Sequence, residues 1–166
     1  MNNKGFSVPF HWNTAVWLLT SFSVVPIALL WLIAEYSDAL AWQKYLFTAV
    51  ILLTYILAVG FMPKRLEVSD SEVVMHRLFG SLRIPMNAIV ECEKISKAHL
   101  DGSVKICGSG GFLGYYGKYR NKRYGVYTVN VTEFNNLILI RTEGKTYVFS
   151  CVQRDKFVEY IKSNMK

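Results

Sequence analysis

Charge is scarce where this chain begins. Before Pro63 the only ionised side chains are Lys4, Glu35, Asp38 and Lys44, and residues 15–34 and 45–62 carry none. A long helix on the surface of a soluble protein shows a polar stripe every third or fourth residue. These runs show no such stripe, which excludes two ordinary surface helices. Cysteine is scarce too. Cys92, Cys107 and Cys151 make an odd set of 3 without a C-x-x-C pair, which excludes a disulfide framework and leaves reduced thiols. The 3 histidines, His11, His76 and His99, share no ligand spacing with the cysteines, so no metal site is expected. There is no G-x-S-x-G elbow and no grouped Asp, His and Ser. The carboxylates are scattered beside basic residues: Asp155 between Arg154 and Lys156, Glu143 close to Arg141. His76, on an alternating run, reads as a satisfied strand residue. The expectation is a protein that is not an enzyme, with no catalytic residues and no cofactor.

What the opening does hold is apolar length. A helix of about 20 apolar residues, in a range of about 17–25, crosses a bilayer core, and both runs reach that range. Residues 35–44 make a polar connection between them. A cleaved signal peptide fits poorly, because the first run exceeds an h-region of about 7–15 residues and no A-x-A site follows. The reading is a transmembrane helical hairpin over residues 1–62, with spans near 12–34 and 45–62. Trp12, Trp17, Trp31, Tyr36, Trp42 and Tyr45 gather near the span ends, as aromatics do at headgroup depth. Pro26 is expected to kink the first span, which membrane helices tolerate. Lys64 and Arg65 follow the second span, whereas the connection sets Lys44 against two acids. The positive-inside rule then puts both termini in the cytoplasm of a multi-pass protein of the inner membrane.

The positive balance lies further on. Net charge is +7, from 19 Lys and Arg and 12 Asp and Glu. Lys4 and Lys44 cancel Glu35 and Asp38, which leaves 17 basic and 10 acidic residues from Pro63 onward. Residues 63–166 are thus a basic body long enough to bury one core. The leaflet beneath it is anionic and attracts each nearby Lys or Arg by about 1 kcal/mol. The pattern here alternates. Short strands are predicted at 65–68, 72–76, 82–85, 88–95, 126–132, 137–142 and 145–150, parted by Ser-Asp-Ser, Phe-Gly and Glu-Gly turns and by Pro85. Residues 153–165 read as a helix with Phe157, Tyr160 and Ile161 near one face and Val152 just ahead of it.

Three features of this order resemble a bacterial pleckstrin-homology-like domain. They are Phe79-Gly80 followed by Arg83-Ile84-Pro85 and Ile89, the glycine-rich 108–117 segment, and the ending LILIRTEGKTYVFSCVQRDKFVEYIK. In that ending a Gly-Lys turn leads to a helix start in which Ser150 precedes Phe157. The resemblance covers about residues 64–166. It implies an α+β protein with about seven mostly antiparallel strands, in a sandwich or bent barrel, and a C-terminal capping helix. It also implies a tether, since such domains often follow two N-terminal transmembrane helices. It implies no particular ligand.

One segment stands apart from the strands. Gly108, Gly110, Gly111, Gly114 and Gly117 crowd together, and Lys118, Arg120, Lys122 and Arg123 then alternate with Tyr115, Tyr116, Tyr119 and Tyr124. The phosphate-loop pattern fails, because Tyr119 follows Gly117-Lys118 and Phe112 stands where the first glycine belongs. The dinucleotide pattern fails at Leu113. A flexible or bulged loop with positive φ is expected instead. The basic-tyrosine run is most often a solvated loop. It also suits lipid headgroups, with Lys and Arg on phosphates and Tyr, Phe112 and Leu113 at the interface. Stacking on single-stranded nucleic acid is the third reading. The tether ranks lipid above nucleic acid, and no nucleic-acid partner is expected.

The function expected is a membrane-tethered interaction module. It presents a basic β domain to the inner leaflet and binds protein, peptide or anionic phospholipid through Tyr115, Tyr116, Lys118, Tyr119, Arg120, Lys122 and Arg123. The second reading is a regulatory subunit of a transporter or secretion complex that meets its partner through the helical hairpin. The bilayer, a membrane or cytosolic protein and a second copy of the chain complete the partners considered.

Overall fold

The computed structural model describes residues 5–11, 14–37 and 40–165. Lys4, Trp12, Asp38 and Lys166, used in the sequence reading, lie outside the described residues.

Strand β1 (Phe6–Pro9) comes first, then helices α1 (Thr14–Glu35) and α2 (Ala41–Phe61). Helix α1 runs on through Pro26. Helix α2 begins earlier than the second apolar run, because Gln43 turns back and its Oε1 accepts the Leu40 N–H at 3.2 Å. The two helices are joined side by side. Trp31 Nε1 donates to Thr48 Oγ1 at 3.2 Å and Lys44 Nζ to the Glu35 carbonyl at 2.6 Å. Two spans were expected. Among the described residues one helix, Ala41–Phe61, is long and apolar enough to cross a membrane, with mean hydropathy 1.9, and Thr20–Glu35 is a shorter apolar stretch.

Two sheets follow. The first holds β1, β2 (Arg65–Val68), β3 (Glu72–His76) and β4 (Ser81–Pro85) in that order, all antiparallel. The second holds β5 (Ile89–Ile95), β6 (Val104–Gly111), β7 (Gly114–Asn121), β8 (Gly125–Val131), β9 (Leu137–Thr142) and β10 (Thr146–Ser150). Its spatial order is β5-β9-β10-β8-β7-β6, antiparallel except for the parallel β8–β10 pair. Helix α3 (Arg154–Asn164) closes the chain.

The strand count corrects the seven expected. From residue 65 onward nine strands form, because β6 and β7 occupy the segment read as a loop. Strand β1 lies before the helices. It pairs with β2, Phe6 opposite Val68 and Pro9 opposite Arg65, and Val8 is 2% exposed in the core. The first strand of the sheet therefore comes from before the helices.

The main core lies between the first sheet, one face of the second, and α3. Leu66, Met75, Ile84, Ile138, Ile140, Phe149, Phe157 and Ile161 all meet there. The other face of the second sheet carries a second cluster that includes Tyr127, Val129, Leu137, Leu139 and Val148. Strand β9 shows why its sequence is apolar throughout. Successive side chains point to opposite faces, and here both faces are covered, so Leu137, Ile138, Leu139 and Ile140 are all buried. His76 is satisfied as expected, its Nε2 lying 2.9 Å from Glu67 Oε2 across the β2–β3 ladder.

Candidate functional site

Most of the expected contact residues lie on the β6–β7 hairpin, and Lys122 and Arg123 lie just beyond it. Gly108, Gly110 and Gly111 stand in β6, Gly114 and Gly117 in β7, with Gly108 opposite Gly117 and Gly111 opposite Gly114. This is ladder, not loop. A register shift between Lys105 and Cys107 supplies the bulge that the glycine content suggested. Glycine is needed at the centre, where Gly117 has φ +128 and a Cβ would lie 2.1 Å from the Cys107 carbonyl oxygen.

Burial sorts the basic-tyrosine run into two sets. Tyr115 and Tyr119 share one face of β7 and Tyr116 shares the other with Lys118 and Arg120, yet all three tyrosines are partly covered. Tyr115 packs its ring 4.8 Å from that of Phe134, Tyr119 Oη donates to the Ser109 carbonyl at 2.8 Å, and Tyr116 Oη donates to the Ala58 carbonyl of α2 at 3.2 Å. Burial pushes the phenols of Tyr116, Tyr119 and Tyr124 above the ordinary tyrosine value. These rings are walls of the protein, not free platforms. The cations are exposed but not gathered. Lys118 and Arg120 project from β7, while Lys122 and Arg123 occupy the turn before β8. At about 3.3 Å per residue, Lys122 stands roughly 30 Å along the strand from Leu113.

The other end of the hairpin meets the helices. The Leu113 N–H donates to Thr20 Oγ1 of α1 at 3.1 Å, and the Phe112 ring sits 6.1 Å from that of Tyr55 of α2, edge to face. Along α2, Tyr55 is level with the tip and Ala58 with Tyr116, so the hairpin lies alongside the helix. Leu113 has φ 55, the one positive φ outside glycine among the described residues. Such a conformation costs about 1–3 kcal/mol and is held by the bond to Thr20 and by burial at 5% exposure. The β3–β4 turn docks nearby. Phe79 N–H donates to the Gly60 carbonyl at 2.8 Å and its ring lies 6.0 Å from that of Phe61.

Sequence reasoning missed Thr20, Tyr55 and Ala58 as partners of this hairpin. One signal was present: two apolar residues, Phe112 and Leu113, set between Gly111 and Gly114, where a solvent-facing turn would carry polar ones. On the second cluster's side of the sheet a cavity of about 310 Å³ opens between Tyr115, Tyr119, Tyr127, Phe134, Lys97 and Lys105. Tyr127 Oη is tied there to the Ser103 hydroxyl.

Two packed β-sheets and a capping C-terminal helix make a small α+β domain. Residues 64–165 match the family model described as a bacterial PH domain, and the chain belongs to that family. No curated protein and no solved structure matches it.

Proposed function

We propose that the protein is a membrane-tethered binding module. Helices α1 and α2 cross the inner membrane as a hairpin with both termini in the cytoplasm, and the PH domain stands at the inner leaflet. It acts by binding a protein, a peptide or an anionic phospholipid and not by catalysis. The observation that carries this reading is the pairing of β1 with β2. The chain leaves the sheet after Pro9 and returns to it at Arg65, and the Phe10 N–H donates to the Lys64 carbonyl at 3.1 Å. A helix pair whose two ends enter adjacent strands has both ends on one side of any barrier. Length agrees, since the 22 residues of α1 and 21 of α2 rise about 30 Å at about 1.5 Å each, the thickness of a hydrocarbon core. The apolar surface agrees as well. Leu18, Phe22, Ile33, Leu46 and Leu53 are all more than half exposed, an amount of apolar surface that water does not favour.

Cysteine labelling in spheroplasts tests the topology. Cys107 is exposed and is first replaced by Ser, while Cys92 and Cys151 are buried. In that background an impermeant maleimide labels Ser37→Cys from outside and labels Ser163→Cys only after lysis. Labelling of Ser163→Cys in intact spheroplasts overturns the reading.

A further inference from the structure

Arg77, just after β3, carries a guanidinium that has no anion to answer it. Its Nη2 donates to Asn130 Oδ1 at 3.0 Å. Its Nε is buried without a partner, and so is the Nδ2 of Asn130, a residue 0% exposed. Burial pulls the Arg77 pKa below its ordinary value, which is the cost of half-burying a cation unpaired. Arg77 opens onto a cavity of about 320 Å³ between the first sheet and strands β7, β8 and β10. Lys118 and Lys145 line it as well, with the hydroxyl-bearing Thr128, Thr146 and Tyr147. No acidic residue lines it, and Glu143 lines a neighbouring depression that Lys145 also borders. The ion pairs among the described residues use His11, Arg65, His76, Arg83, Lys94 and Arg141, and none uses Arg77, Lys118 or Lys145.

Three cations facing one cavity repel one another unless an anion joins them. Orphaned buried donors want acceptors. A guanidinium fork with ammonium groups beside it fits the several oxygens of a phosphoryl group. A phosphate monoester, carrying up to two negative charges, offsets more of this field than a carboxylate does. At about 30 Å³ per water, the volume leaves room for the ester group as well. We propose that this cavity binds a phosphate monoester, held by Arg77, Lys118 and Lys145. The inference rests on the reading of the domain as a binding module and gives that module its ligand chemistry. The β3–β4 turn beside Arg77 is docked on the end of α2, so the phosphoryl group is supplied by a lipid of the adjoining leaflet or by a soluble ester.

The test titrates the full chain, in discs of phosphatidylcholine, with inorganic phosphate and glycerol 3-phosphate by calorimetry. Saturable binding is expected, and Lys145→Gln weakens it about tenfold, as for loss of one charge-assisted bond. Lys156→Gln, on the exposed face of α3 and away from the cavity, leaves it unchanged. Arg77→Lys serves as a second variant that keeps the charge but not the fork, and it also weakens binding. Discs that include phosphatidic acid separate the sources. A raised apparent Kd for soluble phosphate identifies the lipid headgroup as occupant, and an unchanged Kd identifies a soluble ester. Absence of saturable binding, or equal weakening by Lys145→Gln and Lys156→Gln, overturns the site. A native labelling pattern alongside such a failure leaves the tether standing.

Discussion

A methyl group at position 117 would stand 2.1 Å from the Cys107 carbonyl oxygen. That oxygen belongs to a backbone ladder and cannot swing aside. Gly117→Ala is therefore expected to lower the unfolding free energy by about 2 kcal/mol or more, from clash and positive φ together. Gly144, with open space around it, is the control, and Gly144→Ala should stay within about 0.5 kcal/mol. Urea unfolding followed by tyrosine fluorescence compares the two. The buried thiols set a second expectation. Desolvation pushes Cys92 up to about 12 and Cys151 up to about 11, from 9.0. Their protonated forms are favoured in the fold, so the native state holds more protons than the unfolded chain above pH 9. Stability is then full below pH 9 and falls as pH rises toward 11 and 12. The slope is about 1.4 kcal/mol per pH unit for each thiol. Unfolding curves at pH 8, 9 and 10 read this directly, and a flat profile would remove the claim. Sequence could place Cys92 in a strand, but not its burial under α3. The alternation around it, Glu91, Glu93 and Lys94, fits either face of a sheet.

At the scale of elements, the glycine-rich hairpin couples the sheet to the helices through one buried bond, Leu113 N–H to Thr20 Oγ1. Thr20→Val keeps the helix and the shape but removes the acceptor. Leaving that amide unanswered costs about 1–3 kcal/mol. Hydrogen exchange at Leu113 should quicken by about tenfold or more, since about 1.4 kcal/mol is a factor of ten, while amides of β9 keep their protection. If exchange at Leu113 is unaltered, the tip is held by packing alone. Strand β9 and helix α3 were legible because their apolar spacing has one interpretation each: a covered strand, and a stripe with Phe157 and Ile161. Strands β6 and β7 were not. Glycine is a poor strand former, and alternating Tyr and Lys looks like a wetted loop until the inward face is known. Strand β1 was hidden for another reason. Four residues, Phe6 to Pro9, are too few to show a period, and their partner lies beyond two helices.

For the whole molecule, the order β1-α1-α2-β2 means that the helix pair is an insertion within one β-hairpin. Replacing residues 12–62 by an Asn-Gly turn should yield a soluble chain that keeps both sheets. A fragment of residues 64–166 lacks β1 and uncovers Leu66 and Val68, which are 1% and 0% exposed in the intact protein. The joined chain is expected to be more stable than that fragment by about 2 kcal/mol or more, the worth of burying even one or two aliphatic side chains. Urea midpoints of the two proteins decide it, and equal midpoints would mean that β1 adds nothing. The same hairpin also has a mechanical character. Drawn outward together, the two helices tug β1 and β2 in one direction and put no strain between them. Drawn apart sideways, they load first the bond from Thr132 Oγ1 to the His11 carbonyl and the Phe10–Lys64 bond, then the Pro9–Arg65 rung behind them, then the next. The first sheet is a solid block under an axial pull and a zip under a lateral one, and its open end is at the helices.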